Sequence, residues 1–157
     1  MLSLFITTIF RINKWLKSSC NMKTEYPVNT PEYNKAFIIH HFEEFVNNKN
    51  SEIAFINFSD DFLDHDEAGG PVTGPLKAKE MMDGMYKMMP DLHVTIEDLM
   101  AENDKVMVRN IWTGTNLQGK RIQFKGFVLW KLKDGKITER WATVTPPYPS
   151  VNESPEW

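Results

Sequence analysis

The sequence predicts an α+β domain in which helices cover one face of an antiparallel sheet. Three observations carry that prediction. Up to Pro90 apolar residues recur with helical spacing, from Asp91 onward they alternate, and Asp134-Gly135 separates two alternating runs as a two-residue hairpin turn. A chain of 157 residues, 41% hydrophobic and 25% charged, can close one core, so a single domain is expected. No internal repeat or linker divides it.

Thr30-Pro31-Glu32 starts the first helix, with Thr30 as N-cap, Pro31 at the first helical position and an acid in the first turn. This helix should run to about Asn48, because Ile38, Phe42, Phe45 and Val46 make one apolar stripe. Ile53 to Phe58 is expected as a short second helix and the Gly- and Pro-rich stretch DDFLDHDEAGGPVTGP, residues 60–75, as a loop. Pro75 then opens and Pro90 closes a helix with Met81, Met82 and Met85 on one face. Four strands should follow: Leu92–Glu97, Val106–Thr115, Arg121–Lys133 and Lys136 to about Thr145, the last stopped by Pro146-Pro147. In the third, Ile122, Phe124, Gly126, Val128, Trp130 and Leu132 share a face opposite Arg121, Gln123, Lys125, Lys131 and Lys133.

The domain is accordingly placed at residues 30–146, between an N-terminal extension, 1–29, and a C-terminal tail, 147–157. Residues 2–10 are nearly all apolar and are followed by Arg11, Lys14 and Lys17, the reverse of a secretory signal. The run is too short to span a bilayer, which needs about 20 residues, so stable membrane insertion is not expected. Three readings stay open: an amphipathic extension, upstream sequence with Met22 as the true start, or a weak export or membrane-surface segment. A net charge of −3 with no basic stripe argues against nucleic acid as a partner. The single Cys20 allows neither an internal disulfide nor a Cys-based zinc site, which suits a cytoplasmic location.

Four phrases together resemble the SnoaL-like polyketide cyclases, often labelled ester cyclases, of the NTF2-like superfamily: DDFLDHD at 60–66, PDLHVTIEDLMAENDKVMVR at 90–109, GTNLQGKRIQFKG at 114–126 and DGKITERW at 134–141. The resemblance covers roughly residues 32–142. It implies a cone-shaped α+β barrel of about four antiparallel strands around an apolar pocket, a homodimer, and cofactor-free ring closure of a hydrophobic carbonyl compound. Such chemistry needs a base for a proton alpha to a carbonyl and a donor for the enolate oxygen, with no metal or organic cofactor. In the family the acid-base aspartate follows the Trp of a phrase like EHWD, assisted by a histidine on the preceding strand. Here the phrase is ERWA: Arg140 stands in place of His, Ala142 in place of Asp, and Val128 in place of the assisting histidine. The resemblance implies the scaffold and pocket, while its usual catalytic pair does not carry over.

His65 becomes the candidate proton-transfer group, since acids on both sides favour its cationic form. The competing account is a structural histidine that pins the loop. A metal role is not expected, because consecutive Asp-His-Asp side chains diverge. Arg109 and Arg140 are candidates to hold a carboxylate or polarise a carbonyl. By alternation Arg109 opposes the Val106/Val108 face, which favours a cross-strand pair with Glu97 or Glu139. Trp130, Trp141, Phe124, Val128, Ala142, Met82 and Met85 are expected around the ligand, and the flexible methionines suit an irregular apolar molecule. Asn110 and Asn116 can supply orienting hydrogen bonds. The function expected is acid-base catalysis on a hydrophobic carbonyl small molecule as a cyclase, isomerase or hydrolase. The alternative is a non-catalytic binding or dimerisation module on the same scaffold.

Overall fold

The fold is given by a computed structural model that describes residues 26–66 and 71–149. Most of the expected extension, the loop segment 67–70 and the end of the tail lie outside the described residues. Residues 26–29 already belong to the body: Tyr26 and Val28 pack against the core, and the Asn29 side chain exchanges hydrogen bonds of 3.1 and 2.8 Å with Asp134.

Helix α1, Pro31–Phe42, begins as expected. Thr30 has extended backbone, Pro31 enters the first turn, and the Thr30 hydroxyl accepts the Tyr33 N–H at 3.3 Å. The helix passes directly into a π-turn, Glu43–Asn47. Behind this wider turn Phe42, Phe45 and Val46 are all buried, and so is His41. The Asn47 amide then pairs with the Val94 backbone in both directions, N–H to O at 3.2 Å and O to N–H at 2.9 Å.

A 3₁₀ turn, Ser51–Ile53, leads into α2, Ala54–Asn57, and at Phe58 the chain changes to strand. Strand β1, Phe58–Asp64, replaces the end of the expected second helix and the start of the expected loop. Its Phe58, Phe62 and Asp64 are buried while Asp60 and Asp61 are both exposed, so an irregular register between Phe58 and Leu63 and three acids in a seven-residue strand hide the strand signal. After the two-residue β2, Val72–Thr73, comes α3, Gly74–Met88, with Pro75 in its first turn. The Tyr86 hydroxyl of α3 donates to the Phe45 carbonyl, which fixes α3 to the π-turn.

Strands β3, His93–Glu102, β4, Lys105–Thr115, β5, Arg121–Lys133, and β6, Lys136–Val144, form the expected antiparallel meander. Asp134 and Gly135 both have positive φ, 52° and 74°, as the mirror-image hairpin turn requires. A Cβ on Gly135 would also meet the Tyr33 hydroxyl at 2.9 Å. A last two-residue strand, β7, Tyr148–Pro149, pairs with β5, so the segment expected as tail joins the sheet at its start.

The sheet order is β2-β1-β6-β5-β4-β3. The fold class is the expected one, helices packed on a sheet with an apolar pocket between the layers. Two details differ from a barrel of four antiparallel strands. Strand β1 joins β6 in parallel, which makes the sheet mixed, and among the described residues β2 and β3 do not pair, so the sheet is not closed. Between the layers, Tyr33, Phe37, Ile38 and Val46 from the helical side are buried with Val106, Val108, Leu132 and Ile137 from the strands. No helix among the described residues is long and apolar enough to cross a membrane.

Candidate functional site

The parallel β1–β6 contact builds the site, because its register aligns Leu63 with Glu139 and Asp64 with Arg140. Three successive side chains then reach three different partners. Asp64 Oδ2 accepts from Arg140 Nη1 at 2.5 Å, His65 Nε2 meets Glu139 Oε2 at 2.9 Å, and Asp66 Oδ2 accepts the Ala142 N–H at 2.7 Å. The DHD phrase is stitched residue by residue onto ERWA. Since side chains alternate across a strand, Asp64 and Arg140 fall on the helix-facing side, whereas His65, Glu139 and Trp141 fall on the other.

Between the helices and the inner face lies a cavity of about 220 Å³. Its walls are mainly apolar and include Phe45, Phe62, Met82, Met85, Phe124 and Trp130. Val128 and Ala142, paired across β5 and β6, line it too. A second, more open cavity shares Met85, Phe124 and Val144 with the first and continues past Met88 and Leu117.

A few polar side chains interrupt the apolar lining. Asp64 is only 1% exposed and is neutralised by Arg140, whose guanidinium also stands 5.7 Å from the centroid of the Trp130 ring. Asn110 uses its oxygen to accept from Trp112 Nε1 at 3.1 Å, so the group it can offer a ligand is its amide N–H. His41 completes the set. Its Nδ1 lies 3.0 Å from Asn57 Nδ2, and its ring stacks on Phe45 at 4.9 Å and meets the edges of Phe58 and Trp130. Burial first, then the neighbouring His40 and Arg140, lower its pKa to about 3, so the imidazole is neutral.

Three of the residues expected around the ligand are elsewhere. His65 stacks flat on Trp141, with ring centroids 4.4 Å apart and planes 6° apart, on the face away from the cavity. There Glu139 bridges His65 and Lys131, and hydrogen bonds from Lys131 first and His65 second hold its carboxyl below the ordinary range. Strand parity separates both His65 and Trp141 from the cavity. Arg109 also faces outward, paired with Glu97 and, at 2.5 Å, with Asp98. A register shift between Ile96 and Asp98 brings these two successive acids to one guanidinium. Asn116 organises its own turn by accepting the Gln118 and Lys120 N–H groups. Arg140, Trp130, Phe124, Val128, Ala142, Met82 and Met85 do line the cavity. Among the described residues no group of three or more His, Cys, Asp or Glu side chains is placed to hold a metal ion.

The profile of the SnoaL-like polyketide cyclases matches residues 37–144, a span that runs from within α1 to the end of β6 and holds every cavity residue named above. The chain belongs to the SnoaL-like polyketide cyclase family. A protein from Bacillus cereus assigned as a polyketide cyclase is 30% identical, with 69% of this chain and 74% of that one covered and a TM-score of 0.61. At lower identity the likeness is one of fold. AclR from Streptomyces galilaeus, assigned as a hydroxylase, is 22% identical, with 74% and 91% covered and a TM-score of 0.66. A protein with a ketosteroid isomerase-like fold from Catenulispora acidiphila, solved with trimethylamine, is 17% identical, with 68% and 83% covered and a TM-score of 0.60. No curated protein matches the chain. Family membership supports a general cyclase- or isomerase-like role, but the proton-transfer group must come from residues this chain has.

Sequence reasoning missed Asp64 and His41. For His41 a signal existed: with Ile38, Phe42 and Phe45 it completes the i, i+3, i+4, i+7 pattern of the buried stripe. For Asp64 the signal was its two-residue spacing from Phe62.

Proposed function

We propose that the protein is a cofactor-free acid-base catalyst, an ester cyclase or isomerase, acting on a hydrophobic carbonyl small molecule. The observation that carries the reading is a buried carboxylate, Asp64, paired with Arg140 inside a mainly apolar cavity. Asp64 takes the role first assigned to His65. Its Oδ removes the proton from a carbon alpha to the substrate carbonyl, and the C–H electron pair moves into the enolate. The enolate oxygen is held by Arg140 N–H and the Asn110 amide, donors that are already fixed before reaction. The enolate carbon then takes a proton at a new position, or forms a C–C bond to a second carbonyl of the same molecule whose alkoxide recovers the proton from Asp64. Apolar walls keep water from quenching the enolate.

A second reading is a non-catalytic binding protein. It is favoured by Val128 and Ala142, inert residues in the cavity wall where the resemblance would put a catalytic pair. Deuterium uptake in heavy water, followed by NMR on a panel of enolisable ketones and polyketide-like esters, separates the two. The catalytic reading expects uptake above the buffer rate and a loss of about 10² to 10⁴ in Asp64→Asn with the circular dichroism unchanged. Equal rates in wild type and Asp64→Asn remove Asp64 from the chemistry. Tight ligand retention without uptake establishes the binding protein. The homodimer implied by the resemblance belongs to this proposal as well, and sedimentation equilibrium reads it directly.

A further inference from the structure

We propose that His41 is a specificity-determining binding residue of the cavity, donating a hydrogen bond from Nε2–H to an oxygen of the bound ligand, with Asn57 as the residue that positions it. This rests on the reading that the ligand is a hydrophobic carbonyl compound.

His41 lies in the last turn of α1, is 1% exposed, and lines the cavity. Two independent features fix the ring. The Asn57 side chain, fully buried at the end of α2, reaches Nδ1 at 3.0 Å. Phe45 stacks on one ring face at an interplanar angle of 28°, while Phe58 and Trp130 meet the ring at 88° and 76°. A ring flip, which puts Cδ2 in the place of Nδ1 and Cε1 in that of Nε2, would break the Asn57 contact.

The hydrogen bond also selects the tautomer. With Asn57 Nδ2 donating, Nδ1 accepts and the proton of the neutral ring resides on Nε2. That leaves Nε2–H as the polar group His41 presents to the cavity. Burial holds the ring uncharged, so it presents a donor without bringing an unpaired cation into an apolar space. The site's charge is already balanced between Asp64 and Arg140. A neutral donor in a dry cavity prefers a carbonyl, ether or hydroxyl oxygen to a hydrocarbon edge, because a ligand lacking the oxygen leaves the donor unpaired. His41 therefore adds to the discrimination between oxygenated and bare apolar molecules of one shape, a task that Arg140 and Asn110 share as donors and that Asp64 cannot because it only accepts.

The test needs no turnover. Protein labelled with ¹⁵N-histidine is titrated with 2-tetralone and with tetralin, the same skeleton without the carbonyl, and His41 is assigned by its absence in His41→Gln. The expected spectrum has a protonated Nε2 and a bare Nδ1, with the Nε2–H proton moving downfield on adding 2-tetralone and staying still with tetralin. Wild type should bind 2-tetralone about three- to tenfold more tightly than tetralin, one neutral hydrogen bond's worth. His41→Phe should lose the share of that preference that His41 supplies, leaving what the Arg140 N–H and the Asn110 amide contribute, and His41→Gln, which keeps an N–H donor, should retain more of it. A bare Nε2, an unmoved Nε2–H at saturating ketone, or the same preference in His41→Phe would each overturn the proposal, and the first two need no variant. The deuterium-uptake experiment on Asp64 can fail while this one succeeds, so loss of the catalytic reading and loss of the His41 assignment are told apart.

Discussion

Burial holds the His41 imidazole at about 3, against an ordinary value of 6.5, so between those pH values the unfolded chain binds a proton that the folded one refuses. The contribution is fully present above about pH 6.5 and is lost as pH falls, with a slope approaching 1.4 kcal/mol per pH unit. The carboxyls of Asp83, Asp91 and Glu139, held below their ordinary range, weaken the fold in the same direction, but only once pH drops below about 5. The window from pH 7 to 5 thus lies above the range in which these carboxyls contribute. Urea unfolding across it should show wild type losing about 2 kcal/mol and His41→Gln losing much less; parallel losses would mean that His41 is not the group responsible. At this scale the sequence was half legible. Arg140, Trp130 and the methionines were placed at the cavity by parity and helical spacing, and His41 was overlooked because a stripe counted from apolar residues alone skips a polar one. Arg109 faces outward with Glu97, as its alternation against Val106 and Val108 favoured.

The meander and the two long helices were legible because each repeats its period over nine or more residues, and Asp134-Gly135 pins the last hairpin. Strand β1 was not, for two physical reasons. Its acids suppress the strand signal, and its partner β6 is more than 70 residues away in a parallel pairing that leaves no turn signature between them. The DHD–ERWA stitching helps hold β1 to β6, and the Asp64–Arg140 pair inside it makes an asymmetric prediction. Arg140→Met strands a carboxylate that is 1% exposed, which should cost about 3–5 kcal/mol. Asp64→Leu leaves a guanidinium that is 21% exposed and can turn toward water, so its cost should be smaller. Asp64→Leu/Arg140→Met together should be clearly less destabilising than the sum of the two, as a cycle of urea unfolding curves will measure. Strict additivity would mean that the pair does not clamp the two strands.

For the molecule as a whole, packing leaves a cavity of about 220 Å³ between helices and sheet where a dense core would leave almost none. Flexible Met82 and Met85 on one wall and rigid aromatic rings on the others bound that space, which suits a small apolar ligand better than water. A ligand that binds only the folded state raises stability by about 2.7 kcal/mol at a hundredfold excess over its Kd. For a chain of this size that corresponds to a rise in Tm of roughly 5–10 °C. A fill-in variant tests whether the cavity is the origin of the effect. Ala142 faces Val128 across the β5–β6 pair on the cavity wall, so in Ala142→Trp an indole occupies the space where a ligand would sit. Its apolar surface contacts existing apolar walls, so the unliganded Tm should hold or rise. The shift given by 2-tetralone should shrink to about 1 °C or less, because the space it needs is taken. Differential scanning fluorimetry of wild type and Ala142→Trp, each with and without the ketone, measures all four values, and an undiminished shift in the variant would place the binding site outside this cavity.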